Sequence, residues 1–293
     1  MAAVPPPSGV VGVPPLKCQG IKTRLLPLIR DAVAWTGQGR WIEPFLGSGV
    51  VAFNLAPERA LLADTNRHVI GFYRAIQAGR IGAEAVTAHL RREGERLRQS
   101  EGAHYYEVRA RFNATADPLD FLFLNRAGFN GLMRFNRAGA FNVPFCRKPD
   151  RFRPALVTRI ANQVAWVAGL LAGRDWRFEV ADWAVTLAAA GAEDFVYADP
   201  PYLGRHADYH DHWTEADADR LAACLRGLPC GFAMSTWMGN RFRRNPHVAR
   251  WFPGHAVRTQ GHFYHLGAAE TLRHPIEEGL VLGGPAAQNR AIR

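Results

Sequence analysis

Apolar residues along the chain fall into short continuous runs separated by stretches with helical spacing. WIEPF (41–45) and ALLAD (60–64) have the form of buried strands that stop at a turn or an acid. FVYAD (195–199) ends at two prolines, and GFAMST (231–236) is a fourth run of this kind. Helical spacing covers 22–34, 66–78, 81–113 and 155–172, and a further helix starts within 50–55. Residues 214–226 open with a threonine cap and acids in the first turn, a helix start. Strands this apolar, alternating with helices, predict an α/β fold with a parallel core covered on both faces. The stretch 79–149 interrupts the alternation and reads as an inserted, mostly helical module. Residues 16–78 and 150–284 then form the core, and residues 1–15 read as a loose proline-rich tail.

Composition adds the partner class. Of 293 residues, 48% are hydrophobic and 21% charged, which excludes a mostly disordered chain. No apolar run is long enough to span a membrane, and the start lacks the pattern of a signal peptide. Cys18, Cys146, Cys224 and Cys230 form no C-x-x-C pair and read as reduced thiols of a cytoplasmic protein. The net charge of +10 points to a polyanion, with nucleic acid first. A biased genome is the competing explanation, since only three of the 36 basic residues are lysines. The charge is concentrated, however: between Arg91 and Arg153 stand 13 basic and seven acidic residues. A surface that contacts phosphates needs such concentration. His206, His210 and His212, with Asp208 and Asp211, read as a solvated loop, because no second ligand cluster accompanies them. No metal is expected.

Two motifs carry chemistry. Phe45-Leu46-Gly47-Ser48-Gly49 follows the first strand, where paired glycines let the backbone approach a ligand. Asp64 ends the second strand, where an acid can accept hydrogen bonds from both ribose hydroxyls; an N-cap is the plainer alternative. Neither a third glycine nor a Gly-Lys-Ser/Thr is present, so the pair favours a nucleoside cofactor without pyrophosphate, which suits S-adenosylmethionine. The second motif is Asp199-Pro200-Pro201-Tyr202, at the end of the third strand run. The prolines fix the backbone so that the Asp199 carboxylate and the Pro200 carbonyl can serve one site. Two acceptors together suit an exocyclic amino group, and Tyr202 offers a face for a stacked base.

With LKCQGIK (16–22), EPFLGSG (43–49), LLADTN (61–66), FLFLNRAGFNGLMRFNRAGAFNVPF (121–145) and ADPPY (198–202), the chain resembles the Dam-type (D12 class) DNA adenine-N6 methyltransferases from Leu16 to about Leu282. The resemblance implies a Rossmann-like S-adenosylmethionine-dependent methyltransferase core with an inserted, mostly helical DNA-recognition domain over 79–149. It implies cofactor contacts at Lys22, Glu43, Phe45, Gly47, Gly49, Asp64, Asp182 and Trp183. Asp199, Pro200, Pro201 and Tyr202 would hold an adenine flipped out of duplex DNA. Base contacts would come from Lys17, Phe129, Asn130, Leu132, Arg134 and Pro144, a set that favours GATC, and Asn136 would join them in binding DNA. Two positions depart from the pattern: Cys18 stands where the family commonly has Trp, and Ile21 where it commonly has Gly.

The recognition segment also reads as DNA-binding on its own residues. Phe129 can wedge between bases, and Asn130 or Arg134 can reach base edges; for Phe129 a core position is the alternative. Arg241, Arg243 and Arg244 suit phosphate or a plain solvated face equally. The leading expectation is methyl transfer to adenine N6 in duplex DNA, in the cytoplasm and at the nucleoid. A cognate restriction endonuclease is compatible with this and not required by it. Cytosine-N4 or RNA methylation, and a DNA-binding regulator that has lost transfer, are the alternatives.

Overall fold

The computed structural model describes residues 11–203, 213–240, 244–263 and 275–284. Its centre is one seven-stranded sheet. The strands are β1 (Trp41–Glu43), β2 (Arg59–Asp64), β3 (Asp175–Val180), β4 (Phe195–Ala198), β5 (Gly231–Asn240), β6 (Ala256–Phe263) and β7 (Pro275–Gly283). Their spatial order is β3-β2-β1-β4-β5-β7-β6. The first five run parallel, and β7 is antiparallel to both β5 and β6. The chain moves outward from β1 through β2 to β3, then returns to place β4 on the other side of β1. That reversal opens a crevice at the carboxyl ends of β1 and β4, where doubly wound sheets bind their ligands. The molecule therefore has a Rossmann-like methyltransferase architecture, as expected.

Successive strand residues feed opposite faces. Trp41, Leu62 and Tyr197 enter one core, while Ile42, Leu61 and Val196 enter the other. The first core lies under α1 (Leu26–Ala32), α2 (Val50–Leu55), α3 (Arg67–Gln77) and α7 (Pro154–Leu171). The second lies under α8 (Trp183–Ala188), α9 (Glu215–Arg226) and α10 (His247–Trp251). Thr214 and Asp217 form the capping box that starts α9, as its sequence predicts.

Residues 81–113 form two helices, α4 (Ala83–Gln99) and α5 (His104–Thr115), not one. The break carries Glu101 and Gly102 at positive φ, and the Phe145 ring packs where a Gly102 Cβ would lie. Next comes α6 (Pro118–Ala127), capped by Asp117 and buried from Asp120 to Ala127. The first part of the long 121–145 motif is thus a core helix with a packing role. Its apolar side chains, with those of α4 and α5, are continuous with the first core. The Arg111 guanidinium forks onto Asp120 at 2.7 and 2.6 Å and lies 3.3 Å from Glu93, tying the three helices together. Burial pushes the Glu93 carboxyl up, but His104, Arg92 and Arg111 outweigh it and hold it at about 2. These pairs use two of the seven acids of the region, so the net basic surplus counted above is unchanged.

Residues 11–15, assigned above to the loose tail, are docked. Gly12 and the Asn54 side chain exchange two 2.8 Å hydrogen bonds, and Arg126 Nη1 donates to the Pro15 carbonyl at 3.0 Å. Prolines lack an N–H, so their carbonyls and rings can lie against the body without leaving an unpaired donor.

Candidate active site

Pro44 ends β1, and the next five residues turn tightly back toward α2. Gly47 has φ +52° and Gly49 φ +73°; at Gly49 a Cβ would run into the Phe53 ring. The turn is tied to the end of β2. Asp64 Oδ2 accepts from the Gly47 N–H at 2.9 Å, and Oδ1 accepts from the Asn66 N–H at 2.8 Å. Asn66, not Asp64, caps α3. Burial raises the Asp64 pKa against the pull of these two bonds. Each carboxylate oxygen keeps a lone pair, so hydroxyl donors can still be accepted. Glu43 lies beneath the turn, buried and bonded to the Trp41 indole at 2.7 Å. Burial, with Trp41 opposing and Asp199 adding repulsion, pushes its pKa to about 8. It is bonded to Trp41 and to the Ala52 backbone in α2, and no surface is left for the ligand contact expected of it.

Asp199 stands one residue past β4, next to the turn across the crevice. Its Oδ2 lies 2.9 Å from Lys22 Nζ, and its Oδ1 accepts from Ser235 Oγ at 2.7 Å. Ser235 Oγ in turn accepts from the Tyr197 hydroxyl at 3.2 Å. The Lys22 ammonium is buried, donates to the Gly20 carbonyl at 2.7 Å, and sits 4.9 Å from the Tyr202 ring centroid. Tyr202 donates to Glu278 Oε1 at 3.3 Å. Burial raises the Asp199 pKa; Lys22 and Ser235 oppose it, while Glu278 adds to the rise. Pro200, Pro201 and Tyr202 line a small cleft together with Trp213, Met234 and Thr236.

At the next strand end, the Asp182 side chain caps α8 by accepting from the Ala184 N–H at 2.8 Å. Trp183 is buried, with the Arg220 guanidinium 5.4 Å from its ring. Trp213 bridges the two expected aromatics, 6.3 Å from Trp183 and 5.8 Å from Phe45. Phe45, Asp64, Asp182 and Trp183 thus border one edge of the sheet, and Lys22 joins Asp199 instead. Cys18 fills space beside Gly47, its Sγ 3.4 Å from where a Cβ would stand, and Ile21 packs against the first core.

The recognition residues gather on a second surface. Asn125 of α6 clamps the Lys17 backbone through two hydrogen bonds of 2.7 and 2.9 Å. Gly131 packs on Lys17, leaving 2.6 Å between a Cβ there and the lysine Cβ. Phe129 is 50% exposed, which excludes the core alternative. Asn130 is exposed and adopts φ +52°, a conformation asparagine tolerates. The Phe129 N–H is held by the exposed Pro144 through its carbonyl at 2.9 Å. Arg134 is braced by Asn142 Oδ1 at 2.8 Å. Leu132 is partly buried against the core, and Asn136 closes a turn by accepting from the Ala138 and Ala140 N–H groups, both at 3.0 Å. Burial, with Arg151 and Arg126 nearby, lowers the Lys17 pKa to about 8. Lys148 adds a third like charge beside it.

Sequence reasoning missed Ser235, Tyr197, Glu278 and Trp213. Ser235 carried a signal, a hydroxyl near the end of an apolar strand. Glu278 sits in a strand whose mixed polarity hid it. The histidine-rich segment 206–212 and Arg241 and Arg243 lie outside the described residues. Arg244 is exposed. Among the described residues no three histidines, cysteines or acids are grouped as metal ligands, and no helix is long and apolar enough to cross a membrane.

Comparison with known proteins agrees with this geometry. The chain is 33% identical to the retron Ec67 DNA adenine methylase of Escherichia coli over 217 residues, covering 72% of this chain and 71% of that protein. It is 34% identical to the DNA adenine methylase of Escherichia coli K12 over 214 residues, covering 69% and 72%. The match to the DNA adenine methylase of Salmonella typhi is 34% over 182 residues and covers 60% and 61%. Residues 19–261 match the profile of one family, and the chain belongs to it: the D12 class N6 adenine-specific DNA methyltransferases.

Proposed function

We propose that this enzyme transfers a methyl group from S-adenosylmethionine to N6 of an adenine flipped out of duplex DNA, within GATC. The observation that carries the reading is the position of Asp199: a half-buried carboxylate, paired with a buried lysine, at the switch point beside a glycine turn tied to Asp64.

The residues at the crevice suit the cofactor. A backbone turn, two acids at adjacent strand ends and a row of aromatics match a nucleoside with an apolar base and ribose hydroxyls. No lysine or arginine from the turn prepares a phosphate site there. Asp64 would hold the ribose, and Phe45, Asp182 and Trp183 would enclose the base. When bound, S-adenosylmethionine supplies an electrophilic methyl on a sulfonium.

The rest is done by this chain. The Asp199 carboxylate and the Pro200 carbonyl accept the two N–H bonds of the target amino group. That favours a pyramidal nitrogen with a localised lone pair, where free adenine delocalises it into the ring. Tyr202 stacks on the base, its hydroxyl anchored by Glu278. Lys22 keeps Asp199 ionised in a place where burial alone would favour the neutral acid. Positioning and fixed electrostatics supply the catalysis.

On the same reading, residues 79–149 are the target-recognition module. Phe129 is the wedge, Asn130 and Arg134 reach base edges, and Lys17 and Pro144 flank them. Lys17, Arg126, Lys148 and Arg151 together form a basic cluster that suits a DNA phosphate. The protein acts in the cytoplasm, where its DNA lies.

The test is expression in a host that lacks adenine methylation, followed by genome-wide mapping of modified bases by single-molecule sequencing. N6-methyladenine at GATC is the expected result. Methylation at another single motif overturns the site assignment alone. A blank map with soluble protein that binds S-adenosylmethionine overturns the activity.

A further inference from the structure

We propose that Ser235, itself oriented by Tyr197, is a positioning residue for Asp199, holding one carboxylate oxygen inward so that the other faces the target amino group. The inference rests on the assignment of Asp199 above.

β5 runs parallel to β4 with Met234 beside Ala198, so Ser235 is level with Asp199. It is fully buried and lies on the interior side of the carboxylate. An ionised carboxylate only accepts hydrogen bonds, and a serine hydroxyl has one proton. The 2.7 Å contact therefore commits that proton to Asp199 Oδ1. The Tyr197 hydroxyl, 3.2 Å away, must then be the donor to Ser235. The result is a one-way chain, Tyr197 to Ser235 to Asp199, in which each bond polarises the next. Neither tyrosine nor serine reaches the crevice, so neither touches substrate.

The other oxygen has a different partner. Lys22 approaches Oδ2 while sitting over the Tyr202 ring. That is the space a stacked base and its amino group would take. An entering adenine must share Oδ2 with the ammonium or move it aside. The contact at Oδ1 is untouched by this, so Ser235 remains as the donor that fixes the carboxylate while the base is bound. Four other groups act on Asp199: Lys22, Glu43, Tyr197 and Glu278. Of the groups on the described residues, Lys22 and Ser235 favour its charged form.

The test uses the full chain with S-adenosylmethionine and a saturating methylatable duplex, following single-turnover methylation against pH. The variants are Ser235→Ala, Ser235→Thr, Tyr197→Phe and Asp199→Asn. Loss of a hydrogen bond to a charged group predicts a rate for Ser235→Ala about 10- to 100-fold below wild type. Affinities for duplex and S-adenosylmethionine should stay near wild type. The acidic limb of the profile should move to higher pH, because a donor that favours the carboxylate is gone. Ser235→Thr, which keeps the hydroxyl, should recover most of the rate. Tyr197→Phe should shift rate and limb the same way by less. A wild-type rate for Ser235→Ala overturns the proposal, as does a slow variant whose acidic limb stays in place. Should both serine variants melt early, Tyr197→Phe decides: an unmoved rate and limb overturn the proposal. Wild-type turnover by Asp199→Asn would overturn the reading of Asp199 itself, whatever the serine variants do.

Discussion

Asp199 and Phe129 are assigned to the same substrate, yet their surroundings are opposite. Asp199 is held from two sides by Lys22 and Ser235, within a sheet edge where strands fix every approach. Phe129 is half exposed on a single turn of 3-10 helix, held through its backbone by Pro144. The difference follows from what each must do. Methyl transfer needs a charge kept in one place at low dielectric, so that no reorganisation is needed at the moment of reaction. Recognition needs an apolar wedge and cations that meet a large partner already surrounded by water. On the proposed assignment, rigidity is concentrated where chemistry would occur, and exposure where the duplex would land.

The sharpest way to break this contrast is Asp199→Ala. Transfer should fall by at least about 10²- to 10⁴-fold, the range in which one positioned acid or base acts. Binding of duplex DNA should stay near wild type, since the proposed recognition residues lie elsewhere, while some loss of melting temperature is expected because the buried Lys22 ammonium loses its carboxylate partner. The assay is methyl incorporation beside a gel-shift titration. Wild-type turnover would remove Asp199 from the mechanism.

Arg134→Ala is the counterpart on the recognition surface, with a smaller expected effect. Loss of a base-edge contact costs about 1–3 kcal/mol of discrimination, or roughly 10- to 100-fold between cognate and near-cognate sites. Turnover on the cognate site at saturation should change little. Unchanged discrimination would assign Arg134 to bracing Asn142 alone, a contact already present in the free protein. Lys17→Met should be milder still. Loss of one phosphate contact lowers affinity for all sequences alike and reduces the slope of log affinity against log salt by about 0.9. A sequence-dependent loss would instead make Lys17 a base reader.

The two regions also differ in how legible they were. The catalytic edge could be read because its constraints are local: a strand, two prolines and two glycines produce the same geometry in any sheet of this kind. β3 was not seen, since DWRFEV mixes charges with Trp176 and Phe178, the pattern of an edge strand with one wet face. β6 and β7 were hidden in the same way. In the recognition region the helical character of the insert was legible, but the long-range contacts that hold it were not. The helix Pro118–Ala127 begins at a proline, but Asn125 and Arg126 interrupt its apolar run, so its burial on every side could not be read locally. Both are buried, and their polar groups serve the backbone of Lys17 and Pro15. Such partners lie more than 100 residues away in sequence, beyond any local pattern. Ser235 and Glu278 escaped for the same reason: their meaning comes from Asp199 and Tyr202, on other strands.

Glu43 gives the contrast its finest test, because it belongs to the catalytic edge and should hardly affect catalysis. Its carboxyl is buried under the glycine turn with a pKa near 8, against an ordinary value near 4.5. The folded protein therefore holds a proton that the unfolded chain releases between those values. The sign of the linkage follows: this group's contribution is complete below about pH 4.5 and is lost as pH rises toward 8. Glu43→Gln keeps the amide oxygen for the Trp41 indole and removes the titration. At pH 5 variant and wild type should melt together. By pH 9 the variant should be the more stable, by up to a few kcal/mol if the whole shift is expressed. Turnover at pH 7 should stay within about twofold of wild type, since a neutral group replaces one that is mostly protonated there. Parallel melting curves from pH 5 to 9 would mean that Glu43 is ionised in the fold. The glycine turn would then rest on a buried charge, and the catalytic edge would owe its rigidity to electrostatics more than to packing.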